Sequence, residues 1–578
     1  MGSHNGLGSI GIYVAEELER VYQEMAALLG IPDLTWIRPE NRQDWTQDEI
    51  ETFSNCDVIL VDGISLADLP DTGANPLIVA CGPVRDQSPS LRLKTLPFNL
   101  GLEGKRLLME GRDYTESGVA EPSLDLMLEE LRSVLRREVK NYLEFPPIPW
   151  GHAYMMTLTH DLDILSLKEM PIARTFLGYF YRSSIVNWKR WRSGKVTTSE
   201  FTLTLWEMVR TWAAKIGLGR DVWDRALPLL LDLENRLGVK SSLYFMPFPR
   251  KPGILPEALR EDKDHRKFQE QDNKIQKDHY RGYSSDVSNF SKDSAVSAPA
   301  NRASFYDVAK YRRLLTRLEE DGWEAGVHGI DSWYSAQAAR EEYKRISMLT
   351  GQQELGVRMH WLYFQTPDSF QAMEEGGYLY DTTFGFNEVV GFRAGTLQPY
   401  HPLNCQTLWE LPLHIQDGAL LAEEHLDLTR EEAFRQAKPI LAWAKRFGGA
   451  VSLLWHNQSF TAPRFWGEVY EQLIEEGKQD GAWITIPREV LRWFALRREA
   501  KVTLTRQGSK WQIGCNQSDE TVSSGPAGSS LPPLRLRLYL DPDKIKGCSV
   551  PYEAGEGYVD IPAQPLIILE VEGDEPRC

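Results

Sequence analysis

Apolar residues cluster in short uninterrupted runs, and between the runs they recur at helical spacing. Ile10–Val14 is one such run, followed by a helix-like stretch that stops at Gly30. Residues 57–62 and 76–80 read as buried strands, and 124–143 as a long amphipathic helix. The Pro-rich stretch 145–149 cannot continue that helix and marks a linker. The pattern predicts a small α/β unit over 1–148, in which no chemistry is evident.

From residue 153 the pattern alternates regularly. Strands are expected at 153–159, 240–246, 323–327, 357–361, 378–381, 410–415, 450–455 and 482–486. Helical stretches lie between several of them: 306–320 stops at Gly322 and 335–349 at Gly351. Thr429-Arg-Glu-Glu432 is a capping box, and Pro487 suits a first helical turn. Strands alternating with helices predict a parallel sheet, open or closed into a barrel, over 149–499. Two insertions interrupt it. Residues 165–221 look helical, aromatic and basic; 250–303 are polar and Ser-rich and are expected to be a mobile loop. Short β-like runs after 500 predict a small β-sandwich over 500–578.

Composition narrows the class. The 578 residues are 42% hydrophobic and 25% charged, as in an ordinary soluble protein of several domains. A formal net charge of -17 opposes non-specific binding to nucleic acid or to anionic lipid, since both are polyanions. The six cysteines form no Cys-x-x-Cys pair, so neither a zinc knuckle nor a disulfide framework is implied. With no secretory-type leader and no apolar run able to span a bilayer, the expected location is cytoplasmic. Nothing in the sequence sets the oligomeric state.

Chemistry concentrates at four expected strand ends, where α/β folds place their sites. Thr159-His-Asp-Leu-Asp163 offers two carboxylates that can divide their roles, one holding a cation and the other a proton. His328 sits between Gly326 and Gly329. Arg358 and His360 fall on one strand face by period two. A further apolar run delivers His456. The bland readings are a solvated acidic turn, core histidines and a cationic edge strand. Trp333, Trp361 and Trp455 are candidates for stacking on sugar rings, against ordinary barrel packing. Trp188-Lys-Arg-Trp191 has the composition of a glycan or membrane contact, against the commoner solvated helix face.

These segments, in this order, resemble the polysaccharide deacetylase family (NodB homology, carbohydrate esterase family 4). Thr159–Asp163 resembles its first motif, 324–328 its second, Gly391-Phe-Arg-Ala-Gly-Thr396 its Arg-bearing third and 453–456 its last. The likeness covers 153–496 outside the insertions. It implies a distorted (β/α)7 barrel holding a divalent metal, usually zinc, and a carbohydrate substrate that loses an acetyl group. Carried over, Asp163 and His328 are metal ligands, Asp161 the general base, His456 the acid, and Arg393 the group that orients Asp161. Asp417 stands near the family's fourth-motif acid, as a candidate substrate contact.

One departure matters. The second motif of the family is His-x-x-x-His, and position 332 here is serine. The third ligand is expected to be His360, with Asp331 as the alternative, as in a divergent branch. Two other functions stay open: a metal-independent C–N hydrolase of the same fold, and a non-catalytic carbohydrate-binding protein with a decayed site.

Overall fold

The computed structural model describes residues 7–32, 34–38, 45–70, 72, 76–83, 91–172, 174–259, 296–516 and 531–572. Its first sheet is parallel, built from β1 (Ile10–Val14), β2 (Thr35–Trp36), β3 (Val58–Asp62), β4 (Leu77–Ala80) and β5 (Arg92–Thr95), in the order β2-β1-β3-β4-β5. The side chains of β1, β3 and β4 are buried throughout, as a sheet covered on both faces requires. The helix Glu19–Leu29 ends at Gly30, whose φ of 73° and closeness to the Phe145 carbonyl exclude a side chain.

The helix expected over 124–143 is shorter, Ser123–Glu138. Its last expected residues form β6 (Leu143–Glu144), which pairs antiparallel with a strand near the far end of the chain, β18 below. Periodicity alone could not show this, because a two-residue strand has no period.

The central sheet comprises β7 (Met155–Leu162), β8 (Ser242–Phe245), β9 (Glu324–Gly329), β10 (Gly356–Met359), β11 (Tyr380–Asp381), β12 (Trp409–Glu410), β13 (Ile415–Gln416), β14 (Ala450–Leu454) and β15 (Trp483–Thr485). They run in the order β12-β11-β10-β9-β8-β7-β14-β13, and every ladder is parallel. The free side of β7 is divided: β15 takes its first residues and β8 its last. The single strand expected at 410–415 is two short strands at opposite sheet edges. Residues 411–414 bridge them, with Leu411 N–H bonded to Asp381 O and His414 N–H to Ser452 O. The sheet therefore curls into a distorted (β/α) barrel without a continuous ladder at its seam.

After the barrel, β16 (Lys501–Gln507), β17 (Lys510–Asn516), β18 (Arg535–Leu538), β19 (Ile545–Cys548), β20 (Glu553–Gly555), β21 (Tyr558–Pro562) and β22 (Ile567–Val571) form two antiparallel sheets, β16-β17-β22-β19 and β20-β21-β18-β6. Arg497, on the last barrel helix, donates to the carbonyls of Ala27, Leu28 and Phe145. It thereby satisfies the orphaned carbonyls at the end of the Glu19–Leu29 helix.

The polar insertion differs from its expectation at both ends. Leu255 and Ala298 are buried, and Ile254 bridges to Ser297. Residues 260–295, the bulk of the expected mobile loop, lie outside the described residues. No described helix is long and apolar enough to cross a membrane.

Candidate metal centre and active site

Five strands of the central sheet, within the run β10-β9-β8-β7-β14-β13, deliver the site at their C-terminal ends. Asp161 lies in β7, one residue before its end, and Asp163 follows the strand; His328 lies in β9; His360 follows β10; Asp417 follows β13; His456 follows β14. Each strand is an apolar run that buries itself, so the first residues free to do chemistry are those where the run stops.

Asp163, His328 and His360 each offer one ligand atom, and the three atoms lie within 4.8 Å of one another. His328 Nε2 is 3.0 Å from Asp163 Oδ1 and 2.9 Å from His360 Nδ1. His328 Nδ1 lies 2.9 Å from the Arg358 carbonyl, which can only accept, so Nδ1 carries the ring proton. Nε2 then presents a lone pair to a carboxylate and to a second imidazole nitrogen. Burial pushes His360 down to about 4, despite the pull of Asp163, so its ring is neutral at pH 7. Burial would raise Asp163, but His360 and His328 outweigh it and hold that carboxyl well below its usual range. Three converging acceptors fit a cation.

At position 332, where the resemblance led to the expectation of a histidine, the serine is held by its neighbours. Ser332 Oγ donates to Glu342 at 2.7 Å and is fully buried. Asp331 accepts from the Ile254 N–H at 2.8 Å and pairs with Lys251 at 3.1 Å, outside the ligand cluster. Gly253 makes this approach possible, since a Cβ there would sit 2.4 Å from Asp331 Oδ1.

Asp161 is buried, and its Oδ1 has no hydrogen-bond partner. The guanidinium beside it belongs to Arg358, at 3.6 Å. Arg358 is itself fully buried and donates to Thr159 Oγ1, Thr382 O and Thr382 Oγ1. This corrects the expectation for Arg393, whose guanidinium donates to Gly385 O and lies over the Phe384 ring.

Opposite the ligands, Asp417 accepts from the His456 backbone N–H at 2.9 Å and meets its Nδ1 at 2.7 Å. Burial would lower the His456 imidazole, but Asp417 and then Asp163 raise it to about 9. His456 Nε2 is 3.7 Å from Asp163 Oδ2. The Asp163 and His456 side chains keep 23% and 20% of their surface exposed, against 5% or less for Asp161, His328 and His360, so solvent enters between these two.

Among solved structures, the chain is similar to polysaccharide deacetylases. It aligns with a protein described as such from Mycobacterium smegmatis at TM-score 0.34 and 14% identity, over 64% of this chain and 99% of that one. A second, from Pseudomonas aeruginosa PAO1, aligns at 0.33 and 13%, over 60% and 93%. Puue allantoinase aligns at 0.34 and 13%, over 61% and 93%. No protein-family model and no curated protein sequence matches the chain. The site is accordingly read from its own geometry.

Of the expected substrate contacts, three are buried. Trp333 and Trp455 are 2% and 0% exposed and pack inside the barrel, where no sugar reaches them. Trp361 is half-buried beside His360. Asp417 is fully buried and engaged with His456, so it has no face for a substrate. Arg302 went unpredicted: it donates to the carbonyls of His360 and Ile330, fixing the turn that presents His360. It lies at the end of the polar insertion, where no periodic signal marks it.

Proposed function

We propose that the protein is a metal-dependent hydrolase that removes an N- or O-linked acetyl group from a carbohydrate. The supporting observation is the convergence of three acceptors between a buried carboxylate beside Arg358, Asp161, and an Asp417-bound imidazole, His456. Asp163, His328 and His360 would hold the ion, and a donor set of one carboxylate and two imidazoles suits zinc. When bound, the ion supplies Lewis acidity to water and to the acyl carbonyl.

The chain's own residues do the rest. Asp161 takes the proton of the attacking water at Oδ1, the atom that has no hydrogen-bond partner. Arg358 lies beside that carboxylate and orients it. His456, its Nδ1 held by Asp417, gives a proton from Nε2 to the departing amine or alkoxide. Acetate and the free amine or alcohol are the products.

The test is acetate release from acetylated chito-oligosaccharides and acetyl-ester sugars by chelator-treated and zinc-reloaded protein. Release that returns with zinc is expected. No release with any added divalent metal, from either substrate type, would overturn the reading.

A further inference from the structure

The helical insertion carries its polarity the wrong way round. The helix Thr198–Lys215 buries Thr204, Glu207 and Thr211, all 3% exposed or less, against the rest of the protein. It turns Leu205, Val209, Trp212 and Ile216 to solvent, at 40%, 60%, 44% and 74% exposed. Their spacing of four, three and four places them on one helical face. Trp206 adds another 59%.

The preceding helical run, 174–192, repeats the feature. It buries Ser183 and Asn187 along with Phe176 and Tyr179, and exposes Leu177, Tyr181, Ile185 and Trp188, again on one stripe. Trp212 packs on Phe176 and Phe180, and Trp191 stacks on Phe201, so the two runs lie side by side as a hairpin. Isolated surface apolar residues need no explanation, but two adjacent stripes with polar groups buried beneath them do.

Charge identifies what covers this face. Residues 171–220 hold nine Lys and Arg against two Asp and Glu, a surplus of seven cations in a chain of net charge -17. Lys189, Arg192 and Arg220 are exposed. Glu207 is neutralised from within by Arg225 and Arg210. Trp and Tyr beside Lys and Arg, on an apolar helix face, is the composition that seats helices at the boundary of an anionic bilayer. A second copy of the chain fits poorly, because a twofold contact through this face would set two cationic hairpins against each other.

The hairpin stands at the mouth of the site. It leaves the barrel just after Asp163, and its inner residues Leu167, Met170 and Phe176 pack with Ala462 and Phe465, a few residues beyond His456. Arg190 and Lys195 both pair with Asp427, at the same end of the barrel. We infer that the hairpin 174–216 is a docking element for an anionic lipid surface, which sets the mouth of the site beside the bilayer. The lipid contact is independent of the hydrolase chemistry.

Vesicle co-sedimentation tests it, with phosphatidylcholine alone and with phosphatidylcholine and phosphatidylglycerol in equal parts. The unmodified protein is expected to bind the anionic vesicles, to bind pure phosphatidylcholine far less, and to dissociate as salt rises. Trp206→Ser with Val209→Ser should weaken binding by about tenfold or more. Lys189→Gln with Arg192→Gln should cost roughly fivefold per cation removed. Metal content and melting temperature of these variants should match the parent. Absence of binding to anionic vesicles, or binding that neither pair of substitutions weakens, would overturn the inference. So would a dimer that ignores vesicles and separates on Trp206→Ser with Val209→Ser, since a second copy would then be the occupant.

Discussion

Asp417 holds His456 at two points, accepting from its backbone N–H at 2.9 Å and meeting its ring Nδ1 at 2.7 Å. A single buried carboxylate thus fixes both where the imidazole sits and which nitrogen faces the site. Ser459 donates to the same carboxylate, so Asp417 itself has little freedom to turn. In Asp417→Asn the ring loses its charge partner and its fixed tautomer. Turnover should fall by roughly 10³-fold, as when the orienting carboxylate of a catalytic histidine is removed. Metal content should stay at the parent level. Unchanged acetate release from this variant would remove His456 as the acid.

The ligand assignment separates His360 from Asp331. Purified protein should carry about one equivalent of zinc or a similar ion. His360→Ala should lose it while the fold persists, as circular dichroism and elemental analysis would show. Asp331→Ala should keep it, at a stability cost of about 1–3 kcal/mol from the lost Ile254 N–H acceptor and Lys251 partner. Metal lost with Asp331→Ala and retained with His360→Ala would reverse the assignment.

Two arginines divide in the same way. Arg358→Lys cannot reproduce three hydrogen bonds from one planar fork and should lower turnover by roughly 10²-fold while zinc stays bound. Arg393→Lys should leave turnover near that of the parent, because this side chain meets Gly385 O and the Phe384 ring, not Asp161. The opposite ranking in steady-state kinetics would restore Arg393 as the partner of Asp161.

A pH effect on stability comes from Asp125, which lies far from these ligands in the chain and packs against the Thr396–Leu397 turn. Burial raises its carboxyl to about 6, although Leu397 N–H and Thr396 Oγ1 both donate to it. A raised folded value means that the native state binds the proton more tightly than the unfolded chain does. Its stabilising contribution is therefore complete below pH 4 and lost as pH rises through 6. The loss is about 3 kcal/mol for a shift from 3.8 to about 6. Denaturant unfolding of parent and Asp125→Asn at pH 4 and pH 7 should show the parent losing that margin relative to the variant. An equal margin at both pH values would show that Asp125 titrates normally.

The local pattern in the sequence marked the positions that the fold gathers at one end of the central sheet. Asp161, Asp163, His328 and His456 were all legible, because each follows or ends an apolar run and the place where such a run stops is a local property of the chain. The capping box at Thr429 and the stop at Gly351 were legible for the same reason. Only the tertiary structure decided which groups meet. Arg358 rather than Arg393 faces Asp161 because the register of β10 beside β9 and the curl of the barrel, not the sequence spacing, set that distance. The split of 410–415 into two edge strands is a consequence of closing the sheet, which no single strand encodes. The Thr198–Lys215 hairpin helix shows the same limit. Its periodicity gives an amphipathic face, but periodicity cannot say which face turns outward. Packing against the barrel mouth decided that its apolar side is the one left in solvent.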